Sequence, residues 1–358
     1  MREALRLAEF GRGRTSPNPM VGAVLVRDGR VVGAGWHRKA GTEHAEIHAL
    51  RMAGDLARGA TLFVTLEPCS HTGRTGPCAK AVIEAGVRRV VAAMEDPNPL
   101  VGGRGFQMLR EAGVEVDCGM LEKEARRLNE AFITWVTQKR PFVTLKMAMT
   151  LDGKTATVSG ESKWITGEKA RLRGHALRDE NDAILVGIGT VLADCPSLTT
   201  RLPGGNGKNP LRVILDSHAR TPIDTPMLHD GAAPVLIAAT DAAPKENVKR
   251  LRAAGAEVLL VGAKPTVELS SLLQILGDKK ICSLLVEGGS TVLFSFLQEK
   301  MADKIYAFIA PMFVGGNNAV PAVGGGGFPR LVDAARLTDI TMEPIGNDFC
   351  MSGYVKKA

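Results

Sequence analysis

A histidine and two cysteines placed far apart in the chain have to be gathered into one site, and that requirement constrains the fold more than any other feature. They are His44, Cys69 and Cys78, set in His44-Ala45-Glu46, Glu67-Pro68-Cys69 and Pro77-Cys78. One imidazole and two thiolates make the borderline-soft donor set that zinc prefers, and three protein ligands leave a fourth tetrahedral position for the water that a catalytic zinc acidifies. Such a site also needs a carboxylate to carry a proton from water to a leaving amine, and Glu46 stands two residues past the imidazole. Taken singly, each residue is more often a buried thiol or a surface histidine. Together, His-x-Glu followed by Pro-Cys is the pattern of zinc nucleobase deaminases.

The spacing departs from Cys-x-x-Cys. Between the cysteines lies the turn-rich Ser70-His71-Thr72-Gly73-Arg74-Thr75-Gly76, so Cys78 is expected to return at the start of a helix over 79–85, where the N-terminus favours thiolate. His48 lacks the adjacent glutamate of a metalloprotease motif and reads as a helix-face residue.

At 358 residues the chain exceeds what one core of about 250–300 residues fills, so two domains are expected. Lys139-Arg140-Pro141 marks the boundary, because proline disfavours helix at the residue before it; the domains are then 1–140 and 141–358. No apolar run approaches the roughly 18 residues of a membrane span, and 1–13 is a charged amphipathic pattern without a signal-peptide core. Six scattered cysteines fit a reducing compartment, and the expected location is cytoplasmic. The net charge of +7 suits a phosphorylated small molecule as well as RNA. With no Lys/Arg-rich run and aromatics at 4%, single-stranded nucleic acid finds little to stack on.

Asp28-Gly29 between apolar runs 21–26 and 31–35 predicts a hairpin. Thr42 caps a helix over 43–53 that carries His44 and Glu46 in its first turn. Strands at 60–66, 89–94 and 114–116 alternate with helices at 79–85, 104–112 and 122–138. In the second half, strands at 142–149, 183–186, 211–215, 234–238, 257–261, 281–286 and 305–309 have helices between them, one over 169–177 capped by Thr166. Strands alternating with helices imply an α/β fold with a mostly parallel sheet covered on both faces. Gly315 to Gly327 and Gly204 to Gly207 read as surface loops.

Two glycine turns follow buried strands, Gly187-Ile188-Gly189-Thr190 and Glu287-Gly288-Gly289-Ser290-Thr291. Either is a tight strand-to-helix turn or a place where backbone N–H groups approach a pyrophosphate; neither is Gly-x-Gly-x-x-Gly.

From Asn18 onward the chain resembles the bifunctional riboflavin-biosynthesis deaminase/reductases. The matching stretches are Pro17-Asn18-Pro19, Val21-Gly22-Ala23-Val24, His44-Ala45-Glu46, Thr65-Leu66-Glu67-Pro68-Cys69-Ser70-His71, Asp96-Pro97-Asn98-Pro99, Leu151-Asp152-Gly153, Trp164-Ile165-Thr166, Gly189-Thr190-Val191 and Val286-Glu287-Gly288-Gly289. The resemblance implies a cytidine-deaminase-like α/β/α sandwich followed by a dihydrofolate-reductase-like α/β domain that uses NADPH. The substrates it implies are phosphorylated pyrimidines: diaminohydroxyphosphoribosylaminopyrimidine is deaminated, and the ribosyl group of the resulting aminouracil is reduced to ribityl. No nucleic acid or membrane partner is expected, and a homo-oligomer, dimer or tetramer, is.

Carried over by position, His44, Cys69 and Cys78 hold Zn2+ and Glu46 shuttles the proton, while Asn18, His37, His71, Arg74, Asp96 and Asn98 line the pyrimidine and phosphate pocket. For Asn18, Asp96 and Asn98, each beside a proline, turn chemistry is the other reading. Ser162, Arg178, Leu198, Arg201 and Glu287 match substrate contacts of the reductase. Ala148, Trp164, Thr190, Asp194, Ser217 and the turn Gly289, Ser290, Thr291, Val292, Leu293, Phe294 and Ser295 match cofactor contacts. Lys146 either polarises the sugar carbonyl as hydride arrives or is a core-edge lysine paired with an acid. Thr72 and Gly76 replace the second histidine and first proline usual before the second cysteine, and Cys195 stands where an acidic or amide residue is common. A nucleic-acid deaminase with an RNA-binding second domain, or a folate-type reductase, are the competing readings.

Overall fold

Asp28 and Gly29 both take positive φ, 50° and 72°, and fold β1 (Gly22–Arg27) back on β2 (Arg30–Trp36), as a two-residue turn of this composition does. The computed structural model describes residues 1–70, 76–99 and 101–356. Its chain divides into two compact units, Met1–Arg140 and Pro141–Ala358.

In the first unit, α1 (Arg2–Glu9) precedes the hairpin, and α2 (Ala45–Ala53), β3 (Thr61–Val64), α3 (Cys78–Glu84), β4 (Arg89–Ala92), α4 (Arg104–Glu111), β5 (Glu115–Cys118), α5 (Glu122–Leu128) and α6 (Glu130–Gln138) follow it. The sheet runs β2-β1-β3-β4-β5, antiparallel across β1 and parallel from β3 onward. Side chains alternate across a strand, so Val24 packs with Ala4 and Leu7 of α1 on one face. Ala23 and Leu25 pack with Ala45 and Ala49 of α2 and with Ala79 and Val82 of α3 on the other. The result is the α/β/α sandwich expected from the sequence.

Two local expectations are corrected. The Thr42 hydroxyl donates to the Lys39 carbonyl at 2.7 Å, so it does not cap α2. The helix starts later, and His44 itself is its N-cap with extended backbone. The helix expected over 122–138 breaks at Asn129, which leaves the helical region so that its buried amide can pair with both the N–H (2.7 Å) and the C=O (2.9 Å) of Met20. Two hydrogen bonds to an otherwise unpaired backbone outweigh one lost helical turn.

The second unit contains β6 (Phe142–Thr150), β7 (Lys154–Ala156), α7 (Glu168–Glu180), β8 (Ala183–Gly187), α8 (Ile188–Asp194), β9 (Leu211–Leu215), β10 (Val235–Ala239), α9 (Lys245–Ala253), β11 (Glu257–Leu260), α10 (Leu269–Asp278), β12 (Ser283–Gly288), α11 (Ser290–Gln298), β13 (Lys304–Ala310), β14 (Val320–Pro321), β15 (Leu337–Ile345) and β16 (Asp348–Val355). Its sheet runs β11-β10-β9-β8-β12-β6-β13-β16-β15 and is parallel except where β16 joins β13 and β15. Leu269, Leu272, Leu273 and Leu276 of α10 recur at helical spacing and fill one face together with Val143 and Leu145. Each fully buried leucine contributes about 1.5–3 kcal/mol. On the opposite face of the sheet, the neighbouring strands β13 and β12 turn Phe308 and Leu285 toward Ala170 and Leu177 of α7.

The antiparallel pair β15–β16 has no counterpart in the sequence-based reading. β15 is exposed along most of its length, so it lacks a buried alternation to read, yet its turn carries the hairpin signal Gly346-Asn347. The stretch Gly315 to Gly327 is not a plain surface loop. It contributes β14, which pairs with β7, it buries Ala319 and Ala322, and Gly324 donates its N–H to the Ser290 carbonyl of α11 at 3.1 Å. Asp152 secures the start of that stretch by accepting the Val314 and Gly315 N–H groups. Thr166 does not cap α7 either: Gly167 is the N-cap, and its N–H goes to Asp348 Oδ2 at 2.7 Å.

Candidate active site

Extended backbone at the α2 N-cap aims His44 at the first turn of α3, where Cys78 is the opening residue. His44 Nδ1 lies 3.2 Å from Cys78 Sγ and 3.6 Å from Cys69 Sγ, and all three donor atoms fall within 4.8 Å of one another. Cys78 donates its N–H to Cys69 Sγ at 3.3 Å. The Cys69 thiol is held down at about 4, first by the hydrogen bond from Cys78, against burial and with help from His44. Cys78 is pushed up by the same neighbouring sulfur and by burial. Two thiolates side by side repel; a divalent cation among the three atoms removes the conflict, so the donor set fits zinc.

Glu46, in the first turn of α2, is 3% exposed, and its Oε2 has no hydrogen-bond partner. Burial pushes the carboxyl up to about 7 although His44 pulls it down. A buried carboxyl that holds a proton near neutrality and has a free oxygen beside a metal-binding set is equipped to take a proton and return it.

His37 is 2% exposed. Its Nδ1 lies 3.0 Å from the Glu43 carbonyl, which fixes the proton on that nitrogen and leaves Nε2 to accept from Asn18 Nδ2 at 3.2 Å. Burial lowers its pKa, so the ring is neutral, and it meets His44 edge to face at 5.3 Å. Asp96 accepts the Asn98 N–H through Oδ1 at 2.9 Å, the turn chemistry foreseen for this stretch. His71, Arg74 and Thr72 lie outside the described residues; Gly76 is exposed.

The sequence reading overlooked Glu67. It is 5% exposed and accepts four backbone N–H groups, from Asp96 and Gly103 on Oε2 and from Gly105 and Phe106 on Oε1. One carboxylate thereby ties the Asp96 turn and the α4 N-terminus to the strand end that delivers Cys69. Gly105 sits so close to this segment that a Cβ there would be 2.0 Å from the Pro68 carbonyl oxygen. The one sequence signal was an acid placed between an apolar strand and Pro68.

In the second unit, strand alternation puts Lys146 and Ala148 of β6 and Glu287 of β12 on the face that α7 covers. Arg178 reaches from α7 and grips Glu287 with both ends of its fork, Nε to Oε1 at 2.7 Å and Nη2 to Oε2 at 2.8 Å. Lys146 Nζ is 3.8 Å from Glu287 Oε2. The Glu287 side chain is 8% exposed; burial alone would raise its pKa, but Arg178 and Lys146 hold it at about 2. Arg201 has no carboxylate partner among the described residues; its Nη1 donates to Ser197 Oγ at 3.0 Å and Thr199 Oγ1 at 3.1 Å. Leu198, at φ 52°, turns its side chain into the core. Ser162 is half-buried nearby in sequence to Trp164, which is 67% exposed with the Arg171 guanidinium 4.5 Å over its ring.

The two glycine turns meet. β8 and β12 are parallel neighbours, and a Cβ on Gly187 would fall 2.7 Å from Val292 Cγ2, while Cβ atoms on Gly288 or Gly289 would sit 3.6 Å from Thr190 Oγ1. Backbone without side chains at the carboxyl ends of adjacent parallel strands is where a dinucleotide phosphate is received in open α/β sheets, so the residues fit NADPH. Leu293 and Phe294 are buried in the core and offer only their backbone. Ser217 is half-buried; Asp194 and Cys195 are exposed at the end of α8. No helix among the described residues is long and apolar enough to cross a membrane.

Residues 1–94 match the cytidine and deoxycytidylate deaminase zinc-binding region, and residues 141–351 match the RibD C-terminal domain. Riboflavin biosynthesis protein RibD of Aquifex aeolicus is 45% identical over 97% of this chain and 95% of its own length. That of Escherichia coli is 41% identical over 98% and 97%. Among solved structures, Acinetobacter baumannii RibD is similar with a TM-score of 0.89 at 38% identity, covering 99% of this chain and 98% of that one. The Thermotoga maritima diaminohydroxyphosphoribosylaminopyrimidine deaminase/5-amino-6-(5-phosphoribosylamino)uracil reductase gives 0.85 at 38% identity, over 99% and 97%. Likeness at this level runs through both units and nearly the full length of each relative, and the chain belongs to the RibD family of riboflavin-biosynthesis proteins.

Proposed function

We infer that this chain deaminates diaminohydroxyphosphoribosylaminopyrimidine in its first unit and reduces the ribosyl group of 5-amino-6-(5-phosphoribosylamino)uracil in its second. The observation that carries the reading is the convergence of His44, Cys69 and Cys78 beside the unpartnered Oε2 of buried Glu46, in one chain with the Lys146–Glu287–Arg178 cluster. His44, Cys69 and Cys78 would hold zinc, which would supply a Lewis acid and an acidified water. Glu46 takes the proton at its free oxygen and passes it to the departing amine, so ammonia leaves and the carboxylate is regenerated. The neutral His37, its acceptor nitrogen engaged by Asn18, forms a hydrogen-bonding wall beside His44, and Asp96 and Asn98 form the rim.

In the second unit Ala148, Trp164, Thr190, Asp194, Ser217 and the Gly289 to Ser295 turn would hold NADPH, which would supply hydride. Lys146 Nζ donates a proton to the ribose ring oxygen as that oxygen's bond to the anomeric carbon breaks and the carbon is reduced, and the Glu287 carboxylate keeps that ammonium oriented while accepting from ribose hydroxyls. Arg178 is neutralised by Glu287, so Arg201, whose protein partners are hydroxyls, is the cation that receives the substrate phosphate, and Ser162 and Leu198 supply further substrate contacts.

Glu46→Ala tests the division of labour. The expected result is a loss of ammonia release by about 10²–10⁴-fold, with zinc still bound by metal analysis and NADPH still oxidised when deaminated substrate is supplied. If both activities vanish in a folded variant, the two-site reading is wrong. NADPH oxidation on a folate in place of the aminouracil would point to the folate-type alternative.

A further inference from the structure

One stripe of α7 contacts Trp164, Glu287 and Arg201, three of the residues assigned to the reduction site. Arg171, His175 and Arg178 recur at i, i+4 and i+7 and so lie on one helix face. Arg171 stacks on Trp164 and donates to the Thr166 carbonyl at 2.7 Å. Arg178 grips Glu287 and also donates to the Thr199 carbonyl at 2.9 Å. His175, between them, accepts the Arg201 N–H through Nδ1 at 3.3 Å. The segment Ser197 to Arg201 is thus pinned at Leu198 by burial, at Thr199 by Arg178 and at Arg201 by His175.

We propose that His175 is a positioning residue of the reductase: by accepting the Arg201 N–H it fixes where that arginine's guanidinium meets the substrate phosphate. The inference rests on the reading of Arg201 as the phosphate-binding cation. The imidazole suits the task because it is neutral. Burial and the facing guanidiniums of Arg178 and Arg201 hold it at about 4, against Glu287 and the Thr199 carbonyl, so Nδ1 keeps its lone pair at neutral pH and a second cation is not added beside Arg201.

The test compares Michaelis constants of the full-length zinc-loaded enzyme for the deaminated substrate with and without its phosphate. His175→Ala is expected to raise KM for the phosphorylated form about 5–10-fold, the scale of one hydrogen bond. It should leave KM for NADPH within about twofold and leave turnover of the dephosphorylated form unaffected. His175→Asn, whose amide oxygen replaces Nδ1, should restore wild-type behaviour; His175→Gln, which places its amide near the Nε2 position, should not, and this pair decides the matter if the alanine variant fails to fold. In an Arg201→Ala background, His175→Ala should add nothing. Equal losses on both substrate forms, a raised KM for NADPH, or full additivity with Arg201→Ala would overturn the proposal while leaving the reductase reading intact. A wild-type enzyme that oxidises no NADPH on the aminouracil, or an Arg201→Ala variant with unchanged KM for the phosphorylated form, would remove the reading beneath it.

Discussion

Glu67 shows how a single buried carboxylate can set a metal site without ligating anything. Its two oxygens accept from Asp96, Gly103, Gly105 and Phe106, and no other described group replaces them. Removing the side chain leaves four backbone donors facing each other in a dry interior, and buried donors left unpaired cost more than the bonds contributed. Glu67→Ala is therefore expected to lower stability by about 3–5 kcal/mol in urea unfolding followed by fluorescence. Glu67→Gln should recover less than half of that, because its amide nitrogen would face two N–H groups as a third donor. A loss under about 1 kcal/mol would mean the Asp96 turn and the α4 N-terminus are held by their own packing.

The helix α7 carries Arg178 and His175 of the proposed reductase site, and it makes the unit acid-sensitive in two steps. The ordinary imidazole value of 6.5 falls to about 4 at His175, so on acidification the unfolded chain binds this proton first. Stability is full above about 6.5 and declines until about pH 4. The ordinary carboxyl value of 4.5 falls to about 2 at Glu287, where Arg178 and Lys146 outweigh burial. The stability from that ion pair is full above about 4.5 and is lost as the pH falls through about 2, a contribution of about 3 kcal/mol. Thermal melts across pH should show both declines in the wild type, with the upper one smaller in His175→Asn, where His37, whose pKa burial also lowers, still contributes. A melting temperature flat between pH 6.5 and 4 in the wild type would contradict the neutral, guanidinium-facing imidazole.

Over the whole chain, the two proposed sites draw on different units: every residue proposed for deamination lies before Arg140 and every residue proposed for reduction after Pro141, at the division between the compact units. The join is exposed at Lys139, which takes positive φ as the C-cap of α6. Brief trypsin treatment is expected to cut after Lys139 and leave ammonia release and NADPH oxidation each at more than about half of their starting rates, since neither unit needs backbone continuity to hold its core. Loss of one activity on this single cut would show that the unit concerned depends on the join.

What the sequence determined by itself was the chemistry. Soft ligands with a nearby carboxylate permit few alternatives, and strands such as Ala183–Gly187 and Val235–Ala239 are continuous apolar runs whose period needs no partner to be read. What only the tertiary structure decided was who serves those residues. Thr42 and Thr166 carried local capping signals, but a long-range bond from Gly167 to Asp348 and the extended backbone of His44 overrode them. Asn129 broke a helix to satisfy Met20, 109 residues away. Glu67 and His175 left almost no trace in sequence, because a side chain that serves distant backbone N–H groups does so through contacts that only folding creates. The exposed β15 was missed for a related reason: with no buried face its pattern held no alternation, and its place came from pairing with β16.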